Sequence, residues 1–151
     1  RASVSAGSQN QASGAKPATL SAPVASAARW RRHGEPRPGR PAGIGEGEGE
    51  GFTLNLPLPF GTAWDTWGAA LDRACRAIEA FGPDVVVVSL GLDTFEGDPI
   101  SRFKLKREDY PKMGARIAAL GRPTLFVQEG GYAVEDVGYN AVGVLAGFEG
   151  A

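Results

Sequence analysis

Apolar positions recur with a helical period in three stretches of the chain. In two others they run together without a period. Over residues 63–81, Trp67, Leu71, Ala74, Ile78 and Phe81 are spaced by threes and fours, which puts them on one stripe of a helix. Asp65 or Thr62 is placed to cap its start, and Gly82-Pro83 stops it. Over 108–120, Met113, Ile117 and Leu120 share a face, with Pro111 in the first turn, where its missing N–H costs no helical bond. Over 134–148 the corresponding face is Val137, Ala141, Val144 and Phe148. The run Val85-Val86-Val87-Val88-Ser89-Leu90, bounded by Pro83 and Gly91, reads as a strand buried on both faces, and 123–128 reads the same way. Helix, strand, helix, strand, helix at these lengths predicts an α/β fold with an open parallel sheet and right-handed crossovers. Ahead of them, Leu54, Leu56 and Leu58 alternate with Asn55 and Pro57, a short extended segment that proline limits to an edge or a loop.

Composition divides the chain. Residues 1–41 are rich in Ala, Ser, Gly, Pro and Arg and follow neither period, so they are expected to form a disordered basic tail; residues 42–151 are the folded α/β part. The tail holds Arg1, Lys16, Arg29, Arg31, Arg32, Arg37 and Arg40 against a single acid, Glu35, so the net charge of −1 conceals a basic start and an acidic remainder. A solvated tail without function is the favoured reading of this stretch. A transit segment, a mis-started stretch and a nucleic-acid-binding arm around Arg29–His33 are weaker ones, and nucleic acid is the least favoured partner. The alternating Gly and Glu of 45–51 suit a spacer. No Lys-Ser/Thr pair follows, and the glutamates would repel phosphate. The single cysteine, Cys75, rules out an intrachain disulfide and accords with a reducing, cytoplasmic setting. The longest apolar run is far too short to cross a bilayer. Because it starts at Arg1, the chain is expected to be a fragment, a processed product or an engineered piece.

Ligands of open parallel sheets bind beyond the carboxyl ends of the strands. The first predicted strand runs out into Gly91-Leu92-Asp93-Thr94-Phe95-Glu96-Gly97-Asp98-Pro99, the second into Glu129-Gly130-Gly131-Tyr132. Asp93 is a candidate metal ligand, with turn or capping aspartate as the plainer alternative. Tyr132 is a candidate hydrogen-bond donor to an oxyanion, with a rim-packing tyrosine as the alternative. Gly130 and Gly131 permit close approach of backbone to a ligand. Asp98-Pro99 reads as loop punctuation, and Tyr110 and Tyr139 as surface or helix-face residues. No Ser-His-Asp or Cys-His system is available, since the one histidine, His33, falls in the tail.

The stretch Val85 to Ser101, with Gly91-Leu92-Asp93 at its centre, resembles the zinc-dependent deacetylases of the histone deacetylase and acetylpolyamine amidohydrolase family, above all the bacterial acetylpolyamine amidohydrolase branch. Gln128-Glu129-Gly130-Gly131-Tyr132 matches the family's glycine-glycine-tyrosine motif, and 45–59 resembles its Gly/Glu-rich loop leading into Asn55-Leu56-Pro57-Leu58-Pro59. The resemblance covers about 42–151. It implies the arginase–deacetylase type of fold, zinc as cofactor and an acetylated amine as substrate, cleaved to acetate and free amine. Asp93 then corresponds to the second of two aspartate ligands, Tyr132 to the tyrosine that stabilises the tetrahedral oxyanion, and Gly130 and Gly131 to the walls of the acyl channel. The family's Asp-x-His ligand motif and histidine pair have no counterpart here. The chain is therefore expected to be the C-terminal part of such a domain, to bind zinc poorly and to be inactive alone. A non-catalytic remnant or interaction module with the same fold is the alternative.

Overall fold

In this computed structural model the described residues are Ala2–Ala6, Pro17–Ser21 and 53–151. Strands β1 (Ala2–Ala6), β2 (Pro17–Ser21) and β3 (Thr53–Leu56) are followed by α1 (Trp64–Phe81), β4 (Val85–Leu90), α2 (Asp109–Ala118), β5 (Thr124–Gln128) and α3 (Val134–Glu149). One sheet contains all five strands in the order β3-β1-β2-β4-β5. Strands β2, β4 and β5 run parallel, and β1 lies antiparallel to both β2 and β3. Ten residues of the stretch expected to lack regular structure thus form strands. Ala2-Ser3-Val4-Ser5-Ala6 does alternate apolar and polar types, over too few positions to stand out from Ser- and Gly-rich surroundings. The other residues of 1–41, His33 among them, lie outside the described residues.

The elements from α1 onward form where the periodicity places them. Gly82, in the left-handed region at φ 65°, closes α1 by donating to the carbonyls of Ile78 and Glu79. Neither expected N-cap acts: Ala63 holds the cap position without a side-chain bond, and the Thr62 hydroxyl instead donates to the Pro59 carbonyl at 2.8 Å. The inner stripe of α1 packs with Val86, Val88 and Leu90 of β4 and with Tyr110, Met113 and Ile117 of α2 in one core. Full burial of each such side chain stabilises by about 1.5–3 kcal/mol. That core covers one face of the sheet. Along β4 burial alternates, with Val85, Val87 and Ser89 only half-buried, and on β5 Leu125 and Val127 are exposed. The expectation of strands buried on both faces is corrected accordingly: β-branched composition shows that a face is apolar, not that a second layer covers it.

Candidate active site

Strands β4 and β5 pair in parallel up to Leu90 and Gln128, and the pairing continues past both strand ends. The Glu129 N–H donates to the Leu90 carbonyl at 3.0 Å, and the Leu92 N–H donates to the Gly130 carbonyl at 2.8 Å. The loops carrying Asp93 and Tyr132 therefore leave the same sheet edge, bonded to each other.

Asp93 is buried, and its carboxylate lies directly over Gly130. A Cβ on Gly130 would stand 3.1 Å from the Asp93 Cγ and 3.2 Å from its Oδ2, tighter than the carboxylate could accept without moving. Gly131 has φ 134° and sits against α3, where a Cβ would meet Val137 Cγ2 at 2.7 Å, so glycine is required at 131 by the backbone and its neighbours. Asp93 Oδ1 is buried with no hydrogen-bond partner among the described residues. Burial raises the Asp93 carboxyl above its ordinary value of 3.8, its own backbone N–H opposes this, and the charges of Asp98 and Glu129 add to the rise. A buried carboxylate with one free oxygen has the chemistry of a cation donor, so Asp93 could supply one ligand to a metal. It does not make a site by itself. Among the described residues no group of three or more His, Cys, Asp or Glu is arranged to hold a metal.

Two further side chains hold these loops. Tyr110, expected as a surface or helix-face residue, lies on the inner face of α2, fully buried beneath the Asp93 loop: its hydroxyl shares a 3.2 Å hydrogen bond with Thr94 Oγ1 and reaches the Leu92 carbonyl at 3.4 Å. It lies on the stripe of Met113 and Ile117, three and seven residues ahead of them, a phase visible in the sequence. Burial pushes its phenol upward, so it stays protonated. Asp98, expected as loop punctuation, is buried and accepts hydrogen bonds from the backbone N–H groups of Tyr132 and Ala133. No local pattern announces this, since the partners lie 34 and 35 residues along the chain. At the loop ends Ser89 Oγ donates to Glu129 Oε1. The Tyr132 side chain is 54% exposed, open to a ligand at the rim. Cys75 is a buried residue of α1; burial, then Asp72 and Glu79, lift its thiol to about 11, which excludes it as a nucleophile at neutral pH.

The ends of β4 and β5 thus bring together a buried aspartate, two glycines and an exposed tyrosine. Residues 25–148 match the family model for the histone deacetylase domain, and the chain belongs to that family. The match reaches back to residue 25, inside the stretch set apart as a tail. Acetylpolyamine amidohydrolase 1 of Pseudomonas aeruginosa is 55% identical over 125 residues, covering 79% of this chain and 36% of the relative. Acetylpolyamine amidohydrolase of Mycoplana ramosa is 53% identical over 90 residues, covering 60% of this chain and 26% of the relative. The crystal structure of acetylpolyamine aminohydrolase from Burkholderia pseudomallei superposes with a TM-score of 0.67 at 39% identity, over 69% of this chain and 30% of that one. The fold is thus of the arginase–deacetylase type, and the chain spans about a third of the length of these relatives.

Proposed function

We propose that this chain supplies the Asp93–Tyr132 half of a zinc-dependent amide hydrolase site that removes acetyl groups from acetylated amines, either acetylpolyamine or acetyl-lysine. The observation that carries the reading is the unpartnered Oδ1 of a buried Asp93, pressed against Gly130 at the edge from which Tyr132 projects. Asp93 would be one ligand of the ion, with the others coming from outside the described residues. Zinc at such a site acts as a Lewis acid toward an acyl oxygen. The chain's own groups do the rest of what is assigned to it. The Tyr132 O–H donates a hydrogen bond that strengthens as the carbonyl oxygen becomes an oxyanion, and Gly130 and Gly131 would line the acyl channel with backbone. The amine leaves with a proton that these residues do not supply. A cytoplasmic setting, with Cys75 reduced, belongs to the same reading, and among the described residues no helix is long and apolar enough to cross a membrane.

The second reading is a non-catalytic remnant or interaction module with the same fold. Residues 1–151 alone are expected to show no zinc-dependent hydrolysis. The discriminating experiment places residues 42–151 in the matching part of the Pseudomonas aeruginosa relative and measures turnover of acetylated polyamine and acetyl-lysine probes. Catalysis that Tyr132→Phe lowers by roughly 10²–10³ in kcat with little change in KM supports the hydrolase reading. A folded hybrid that turns over neither probe, or one indifferent to Tyr132→Phe, favours the remnant.

A further inference from the structure

We infer that Asp98 is the positioning residue of Tyr132, a clamp that ties the tyrosine loop to the loop carrying Asp93. The inference rests on Tyr132 being the reactive side chain of the proposed site, and it adds a residue to that site. Asp98 is 6% exposed, at a tight turn in which its own N–H donates to the Phe95 carbonyl at 3.1 Å. Its Oδ1 accepts the Ile100 N–H at 3.0 Å, which fixes the carboxylate within its own loop. Its Oδ2 accepts the N–H of Tyr132 at 2.6 Å and that of Ala133 at 3.2 Å. The shorter bond is at the short end of the charge-assisted range, and it goes to the backbone of Tyr132 itself.

The competing explanation is helix capping. Ala133 holds the N-cap of α3 and has no side chain with which to cap, so a carboxylate arriving from another loop satisfies a helix amide and faces the positive end of the helix. Capping alone would need only the Ala133 amide and its successors. The Tyr132 amide precedes the helix, and the bond to it fixes the peptide from which the tyrosine side chain departs. With Gly131 at φ 134° immediately before it, that peptide has a wide range of orientations open to it unless something outside the loop selects one. Asp98 makes the selection, and because Asp93 lies five residues before it on the same loop, the selection is made relative to the candidate metal ligand.

The test uses the whole chain, labelled with ¹⁵N and ¹³C, and needs no turnover. A through-hydrogen-bond coupling between the Tyr132 amide nitrogen and the Asp98 carboxyl carbon is expected. Asp98→Ala should speed hydrogen exchange at Tyr132 and Ala133 by at least about tenfold while the Val86 and Val88 amides stay within about twofold. Asp98→Asn keeps one acceptor oxygen where the carboxylate uses two, and should restore the protection in part. The clamp is overturned if the coupling is absent, if Tyr132 exchange is unchanged in Asp98→Ala, or if core amides loosen equally, which would mark a purely structural role. Should Asp98→Ala not fold, the coupling in the unaltered chain and the Tyr132 amide shift in Asp98→Asn decide. Absence of hydrolysis in the hybrid enzyme would count against the proposed function alone, and loss of the coupling against the clamp alone.

Discussion

With Oδ1 buried and unbonded among the described residues, the Asp93 carboxylate is only partly compensated for its lost water, by its own backbone N–H. Its folded-state pKa lies above the ordinary value of 3.8, chiefly through burial, so the folded chain holds this proton more tightly than the unfolded chain does. The sign of the linkage follows: metal-free stability falls as pH rises from 3.8 through the raised value and stays reduced above it. Asp93→Asn removes the charge and keeps the shape. In EDTA at pH 7 it is expected to unfold at higher urea than the parent, with the difference narrowing as the pH is lowered toward 3.8. A parent more stable than Asp93→Asn under those conditions would show that its carboxylate has a partner. That Asp93 and Tyr132 leave one edge of the sheet was legible in the sequence because each follows a recognisable strand. Asp98 was not, since its function is a bond across 34 residues, and a turn aspartate looks the same with or without it.

Helices α2 and α3 meet backbone to backbone, and α3 carries the tyrosine loop at its start. A Cβ on Gly114 would lie 1.9 Å from the Val144 carbonyl oxygen, and one on Gly147 2.0 Å from that of Pro111. Neither obstacle is a side chain that can swing aside. Gly114→Ala therefore forces the helices apart, and the expected loss is about 1–3 kcal/mol by urea unfolding, even though alanine is intrinsically the better helix former by about 1 kcal/mol. Gly138→Ala, with nothing within 4 Å of the added methyl, is the control and should stabilise by up to about 1 kcal/mol. Helix positions came out of the periodicity closely: 63–81 became Trp64–Phe81 and 134–148 became Val134–Glu149. The Gly82 stop of α1 did too, while its N-cap and the helix contacts did not, because a stripe of apolar positions fixes which face turns inward but not how near the neighbouring backbone comes.

At the scale of the molecule, the core lies on one side of the sheet and an apolar face remains on the other. The register sets Val87 beside Leu125 and Ser89 beside Val127, so these four share a face, and Leu125 and Val127 are 57% and 42% exposed. Strand β5 also ends the sheet among the described residues. A β-branched edge strand with an open apolar face is a template for pairing with another chain. A strand run of this kind cannot tell from sequence which second layer covers it, which is why two-sided burial was expected. Replacing Leu125 and Val127 with lysine adds charge to that edge and removes little buried area. The double substitution should raise the concentration at which the chain stays monomeric by light scattering, while changing its urea stability by no more than about 0.5 kcal/mol, the range of an ordinary surface change. A loss beyond about 2 kcal/mol would mean instead that the face is packed in solution, since removing buried apolar contacts costs that much.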